Sequence, residues 1–304
     1  MIDFRYHLVS LMAVLVALTI GVILGAGPLQ GPLSDTLTGQ VDKLAERQSE
    51  LTDTNARLDK AVTQGQEFIE GTSAHTVAGT LSDVPVALVR TSDASDSAVD
   101  DISRLLGAAG AKVTVTAQLE PAWFSEDGAA TRSAVAKRAS GYLGDAVSAT
   151  SSDADVLSTA LVRAMTTKDD NTTVLRDLLG SEDGKLVTIS GSEPAQAVVL
   201  VTATHADLGQ DTAEGKDETM IRSTTRVIGA LDGSGLVAGD ATSDKDFVSL
   251  VRHASVSVAT TDSISTSRGR VSAILGLAAA RAGKPAAFGT GVGATQLVPE
   301  VAAS

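Results

Sequence analysis

The side chains that could bind a metal ion are few in this chain. It contains no cysteine and four histidines, which are His7, His75, His205 and His253, far apart and without the spacing of a metal-binding pair. His205 lies near Asp207 and Asp211, in a polar segment after a predicted strand. We interpret this segment as a solvated acidic loop. Copper(I) would prefer thiolate or thioether ligands, so the sequence predicts no metal ligand.

Cofactor binding and catalysis also lack a recognisable motif. The sequence GTGVG at 289–293 is glycine-rich, but about eleven residues follow it and no helix is evident there. A phosphate-binding loop needs the N-terminus of a helix, so we expect a turn or a flexible tail. No G-x-S-x-G motif or Ser/His/Asp arrangement stands out. The sequence therefore predicts a non-enzymatic protein without a catalytic residue or a cofactor.

Charge and composition narrow the classes of partner. The formal net charge is −13, which argues against binding to nucleic acid and against tight docking on anionic lipid. The lack of cysteine excludes disulfides and thiol chemistry.

The aromatic pair Trp123 and Phe124 is the one aromatic cluster in the sequence. An exposed Trp-Phe pair could insert into a pocket of an extracytoplasmic partner. The alternative is that both side chains cover the hydrophobic core of a sheet.

The region 81–304 has the pattern of an α/β domain. Apolar runs that indicate strands, at 84–91, 111–119, 197–204, 235–240 and 256–261, alternate with amphipathic helical segments. This alternation predicts a doubly wound, Rossmann-like parallel sheet. The region of about 125–185 is predicted to be a helical insertion.

Residues 33–70 are polar and have a heptad pattern. The d positions are Leu37, Leu44, Leu51 and Leu58, and the a positions include Val41, Asn55, Val62 and Ile69. Leucine at d with one asparagine at a favours two parallel strands, so we predict a dimeric coiled-coil stalk. The alternative is a single amphipathic helix that packs on the globular domain.

The run from residue 8 to residue 29 carries no charged side chain. If it is helical it extends about 33 Å, the thickness of the hydrocarbon core of a bilayer. We predict a retained transmembrane helix, with residues 1–7 in the cytosol and the bulk outside; a cleaved signal peptide is the alternative. Small residues recur every fourth position and predict a face for dimerisation, at Ala13, Ala17, Gly21 and Gly25.

The N-terminal sequence MIDFRYHLVSLMAVLVALTIGVILGAGPL resembles the start of an actinobacterial family, with the form M-I-D/S-F-R-x-H-L/A-V-S and an apolar span that ends in G-x-x-L-G. The C-terminal run TDSISTSRGRVSAILGLAAARAGKPAAFGTG is also similar to this family. The family includes the mycobacterial copper transport protein B and the corynebacterial protein SteB, and the chain resembles the SteB branch more closely.

The resemblance implies a single-pass protein of the cytoplasmic membrane. In the copper branch it implies a role in copper tolerance. In the SteB branch it implies a complex with SteA, a cytosolic protein, and regulation of a peptidoglycan endopeptidase in cell separation through the coiled coil.

We expect a dimeric, non-enzymatic envelope scaffold, because one membrane helix cannot line a pore and copper ligands are missing. The cytosolic partner would dock on Ile2, Phe4, Arg5, Tyr6 and His7, where apolar and polar side chains alternate. The alternative function is a copper transport or copper homeostasis component of the envelope.

Overall fold

The structure is a computed structural model that describes residues 4–25, 30–181, 185–231, 233–254 and 256–300. Two compact units make up the chain, Met1–Gln64 and Gly65–Ser304. Two of the residues that we predicted at interfaces fall outside this description, namely Ile2 and the side chain of Leu37.

The first unit is helical. Helix α1 (Phe4–Gly25) is apolar on all sides from residue 8 onward, and among the described residues it is the helix long and apolar enough to cross a membrane. It starts within the segment that we predicted to be cytosolic. Helix α2 (Gln30–Val77) follows and has 48 residues, so it continues past the predicted end of the stalk.

The last turns of α2 belong to the second unit. Val77 and Ser73 are buried, and Ile69 packs against the same hydrophobic cluster. Ile69 was assigned to an a position of the heptad, yet it contacts its own domain. The compact unit therefore begins before residue 81, where the sequence placed the start of the domain.

A seven-stranded sheet organises the second unit. The strands are β1 (Pro85–Thr91), β2 (Lys112–Leu119), β3 (Val187–Ser190), β4 (Ala197–Val201), β5 (Gly235–Ala238), β6 (Ala259–Thr261) and β7 (Ala287–Phe288). Their order across the sheet is β3-β2-β1-β4-β5-β6-β7. The predicted α/β fold with a largely parallel sheet is confirmed, and β3 departs from it because it pairs antiparallel with β2.

Helices lie on both faces of this sheet. They are α3 (Asp96–Ala108), α4 (Pro121–Phe124), α5 (Ala129–Ala139), α6 (Asp153–Thr166), α7 (Asp170–Gly180), α8 (His205–Leu208), α9 (Glu218–Gly229), α10 (Phe247–His253) and α11 (Ser267–Arg281). The region predicted as a helical insertion corresponds to helices between β2 and β3. Alternate residues of the strands face two separate cores, with Val89 in one and Leu88 in the other. Burial on both faces explains why β4 is apolar throughout.

The chain leaves the centre of the sheet in two directions. From β1 it proceeds to β2 on one side, whereas from β4 it proceeds to β5, β6 and β7 on the other. In parallel sheets, ligands commonly bind beyond the carboxyl ends of the strands where the direction changes. The segments that follow β1, β4, β5 and β6 lie at this edge of the sheet.

Candidate metal site

His205, Asp211 and Asp246 come together beyond the carboxyl ends of the strands. His205 begins α8, in the connection from β4 to α9, and Asp246 is the N-cap residue of α10. The His205 Nε2 atom lies 3.0 Å from a carboxylate oxygen of Asp246. The same nitrogen lies 4.0 Å from Oδ1 of Asp211. One imidazole and two carboxylates could therefore coordinate one divalent cation.

Asp246 is the most tightly held member of this group. Its side chain is fully buried, and it accepts hydrogen bonds from the backbone N–H groups of Thr212, Thr242 and Ser243 at 2.9, 2.7 and 2.9 Å. The hydroxyls of Thr212 and Thr242 donate to it as well. Burial alone would raise the pKa of Asp246, but these hydrogen bonds outweigh burial and hold the pKa below its ordinary value. Asp246 is therefore a fixed negative charge.

A second buried carboxylate, Asp240, positions the backbone at His205. Its Oδ2 atom accepts a hydrogen bond from the backbone N–H of His205 at 2.9 Å. Asp240 follows β5 and is 5% exposed. Burial raises the pKa of Asp240, although the hydrogen bond from His205 opposes this effect. The backbone that carries the His205 imidazole is therefore anchored to the segment that follows β5.

The structure regroups the histidine and carboxylate residues that we considered in the sequence. Asp207 accepts hydrogen bonds from the backbone N–H and the hydroxyl of Thr204, both at 2.9 Å, and so caps α8. Asp211 accepts a bond of 2.7 Å from the hydroxyl of Ser243. Asp246 is the third member of the group, although it lies 35 residues beyond Asp211 and was not among the residues considered in the sequence.

The glycine-rich segment 289–293 is held in place by a buried ion pair. The Asp262 carboxylate accepts hydrogen bonds from the backbone N–H groups of Thr290 and Gly291 at 3.1 and 2.9 Å. It also pairs with Arg252 at 3.0 Å, and both side chains are almost fully buried. These residues form the expected turn. The donors that a phosphate would need are directed at Asp262.

Trp123 and Phe124 are part of the core, so the prediction of an exposed anchor for a partner is wrong. Trp123 is 0% exposed and Phe124 is 4% exposed. The Trp123 indole N–H donates to the hydroxyl of Thr224 at 3.1 Å. The ring of Phe124 contacts that of Phe247 edge to face, with centroids 5.5 Å apart. The alternative considered in the sequence, a cap on the core, describes both side chains.

The remaining predicted interface residues lie in the helical unit, Met1–Gln64. Phe4 and Tyr6 are 79% and 78% exposed on α1, and Arg5 and His7 are also exposed there. The small residues of α1, Ala13, Ala17, Gly21 and Gly25, are exposed along the same helix. On α2, the heptad residues Val41, Leu44, Leu51, Asn55, Leu58 and Val62 are exposed in the single chain.

Comparison with known proteins places the chain in a family. The family model described as "Copper transport outer membrane protein, MctB" matches residues 1–299. The proteins named "Copper transporter MctB" in Mycobacterium bovis and Mycobacterium tuberculosis are 34% identical to the chain over 119 residues, which is 39% of this chain. This similarity spans 38% of the length of those relatives. Because the family model covers almost the whole sequence, the chain belongs to the MctB family.

Proposed function

We propose that the protein is a copper-related component of the cell envelope. The family match over residues 1–299 supports this function, and the relatives that share part of the chain are named copper transporters. Our sequence interpretation placed cell separation first and copper second. The family description favours the reverse order, so copper is the first candidate here.

In this proposal α1 anchors the chain in the cytoplasmic membrane, with the N-terminus inside and the α/β unit outside. A single helix of 22 residues encloses no lumen. The α/β unit would therefore act as a non-enzymatic, copper-binding part of the envelope rather than as a pore. His205 is accessible for this role because one third of its side chain is exposed.

Growth under copper stress tests the proposal. A strain that lacks the gene should grow less well than its parent in added copper and should accumulate more copper, as measured by mass spectrometry of washed cells. Growth in added zinc and nickel is the control and should not change. Equal copper tolerance in both strains would refute the proposal.

A dimeric scaffold is the second candidate function, and the exposed apolar stripe of α2 favours it. Five of its heptad side chains are between 58% and 64% exposed in the single chain: Val41, Leu44, Leu51, Leu58 and Val62. A second copy in parallel register would bury them, with Asn55 paired at an a position. The small-residue face of α1, from Ala13 to Gly25, would allow close approach of the two membrane helices.

The oligomeric state tests the scaffold. Full-length protein in lipid nanodiscs should have the mass of a dimer, and Leu51→Glu should weaken dimerisation because it places like charges in the seam. Glu50→Gln, at an exposed position next to it, is the matched control and should remain dimeric. A monomeric wild type would refute this candidate.

The scaffold candidate also includes a SteA-like cytosolic partner and regulation of a peptidoglycan endopeptidase. The exposed rings of Phe4 and Tyr6 support a docking segment at the inner end of α1. In a pull-down from cells, a Phe4→Ala/Tyr6→Ala variant should lose a cytosolic partner that the wild type retains. Cells that lack the gene should then remain unseparated after division. Normal separation would argue against this role.

A further inference from the structure

The connection between β4 and α9 passes over the carboxyl edge of the sheet and carries two of the three candidate ligands. His205 stands at its start and Asp211 in its middle, whereas Asp246 belongs to α10. Near its end, Lys216 forms an ion pair with Asp93, the residue that closely follows β1. We call residues 205–217 the strap.

We propose that a copper(II) ion binds between His205, Asp211 and Asp246 and fastens the strap to the start of α10. This inference rests on the proposed copper-related function and names the oxidation state, the ligands and the consequence of binding.

The distances suit a single metal ion. Ligand atoms about 2.1 Å from one metal lie roughly 3 Å apart when adjacent and about 4 Å apart when opposite each other. The His205 nitrogen is 3.0 Å from an oxygen of Asp246 and 4.0 Å from Oδ1 of Asp211. All three ligand atoms lie within 4.8 Å of one another. Small side-chain movements would therefore complete the site.

The donor set selects copper(II) rather than copper(I). Imidazole and carboxylate ligands suit copper(II), which binds such sites more tightly than the other divalent ions of its row. Copper(I) would need thiolate or thioether ligands. The chain has no cysteine, and within the described domain Met165 and Met220 are 0% and 2% exposed in the core.

The site is partly preorganised. Asp246 is fixed by its backbone donors, and the backbone of His205 is held by Asp240 at 2.9 Å. Asp211 is 30% exposed and His205 is 33% exposed, so an ion can reach both from solvent. Binding would exchange the direct contact of His205 with Asp246 for two bonds to the metal. The side chains of the strap would then be cross-linked to α10.

The strap is the part of the protein that should respond. Without the metal its tertiary contacts near these ligands are hydrogen bonds, such as that from the Thr212 N–H to Asp246 at 2.9 Å. Local opening exposes such amides to solvent, and a ligand that binds the closed form suppresses the opening. Copper(II) should therefore slow hydrogen exchange at residues 206–216 more than elsewhere.

Copper(II) titration of the full-length protein in lipid nanodiscs, purified without a histidine tag, tests the inference. We expect one copper(II) per chain, with the electron paramagnetic resonance signature of one imidazole nitrogen. His205→Ala should weaken binding by more than about tenfold, since loss of even an outer-shell partner can have that effect. His253→Ala is the matched control and should not change affinity, although His253 also lies 3.9 Å from a carboxylate, that of Asp244.

Hydrogen exchange of the same samples tests the fastening. Slower exchange at 206–216 with copper(II), lost in His205→Ala but kept in His253→Ala, would support the inference. Wild-type affinity in His205→Ala would overturn the assignment of the site. Tight binding without slower exchange would overturn the fastening. His205→Asn and thermal unfolding of every variant control for misfolding.

The outcome is separable from the proposed function. If a strain that carries His205→Ala keeps normal copper tolerance while the deletion strain is sensitive, the function stands and this site is refuted. If His205→Ala loses both the copper(II) signature and tolerance, both are supported.

Discussion

Replacing Asp246 with asparagine is the sharpest test of how the candidate site is built. Both oxygens of this buried carboxylate accept backbone N–H groups, Oδ1 from Thr212 and Oδ2 from Thr242 and Ser243. The amide nitrogen of an asparagine has to take one of these two places. Whichever oxygen it replaces, the amide NH2 group points at a backbone N–H, so at least one buried N–H loses its acceptor.

The size of the effect follows from these contacts. An unsatisfied buried donor costs about 1–3 kcal/mol, and loss of the charge weakens the remaining bonds. We expect Asp246→Asn to lower the free energy of unfolding by roughly 2–4 kcal/mol. For a unit of the size of Gly65–Ser304, this corresponds to a fall in Tm of roughly 5–15 °C.

Thermal unfolding of the full-length protein in nanodiscs, followed by circular dichroism at neutral pH, measures this fall. Asp211→Asn is the matched control, because Asp211 is 30% exposed and is contacted by one hydroxyl, that of Ser243. It should change Tm by less than about 3 °C. An Asp246→Asn variant as stable as the wild type would refute the inference that each oxygen of Asp246 accepts a buried backbone N–H.

Three further predictions concern the same domain. The sole tryptophan, Trp123, should emit at short wavelength and resist quenching by iodide until the protein unfolds; quenching in the native state would contradict its burial. Gly107→Ala should raise Tm, because the new methyl group meets no atom within 4 Å and alanine favours a helix over glycine by about 0.5–1 kcal/mol. Gly269→Ala should lower Tm, because its methyl group would lie 2.1 Å from the carbonyl oxygen of Ser263. Because the pKa of Asp240 is raised, the folded protein binds a proton at this carboxyl more readily than the unfolded chain does. Stability should therefore fall as the pH rises from the ordinary carboxyl pKa to the raised pKa of Asp240. Asp240→Asn should flatten this part of a plot of Tm against pH, and an unchanged slope would exclude a contribution of Asp240 to the pH dependence.

Local sequence patterns predicted most of the sheet. The strand β4 has a strong apolar pattern and occurs close to its predicted position at 197–204. The edge strand β3 did not have such a pattern, since only part of it is buried. Its pairing with β2 depends on the fold around it rather than on its own residues.

The candidate site was harder to predict because its parts are distant along the chain. His205 and Asp211 were visible as neighbours, but Asp246 joins them only when the strands β4 and β5 lie side by side. The segment around Trp123 posed the opposite problem. The polar context of this aromatic pair left both exposure and a core position open. The structure places the pair in the core, because Phe124 packs against Phe247 and Trp123 donates a hydrogen bond to Thr224, both on later helices.

The burial of Val77 at the end of α2 has a consequence for any shed or truncated form of this protein. Val77 is 0% exposed and Ile69 packs against the same hydrophobic cluster, so a cut at residue 81 would remove part of the core. A protease that releases an intact domain from the membrane therefore has to cleave before Ile69. The released domain would keep the last turns of α2 as a short N-terminal helix.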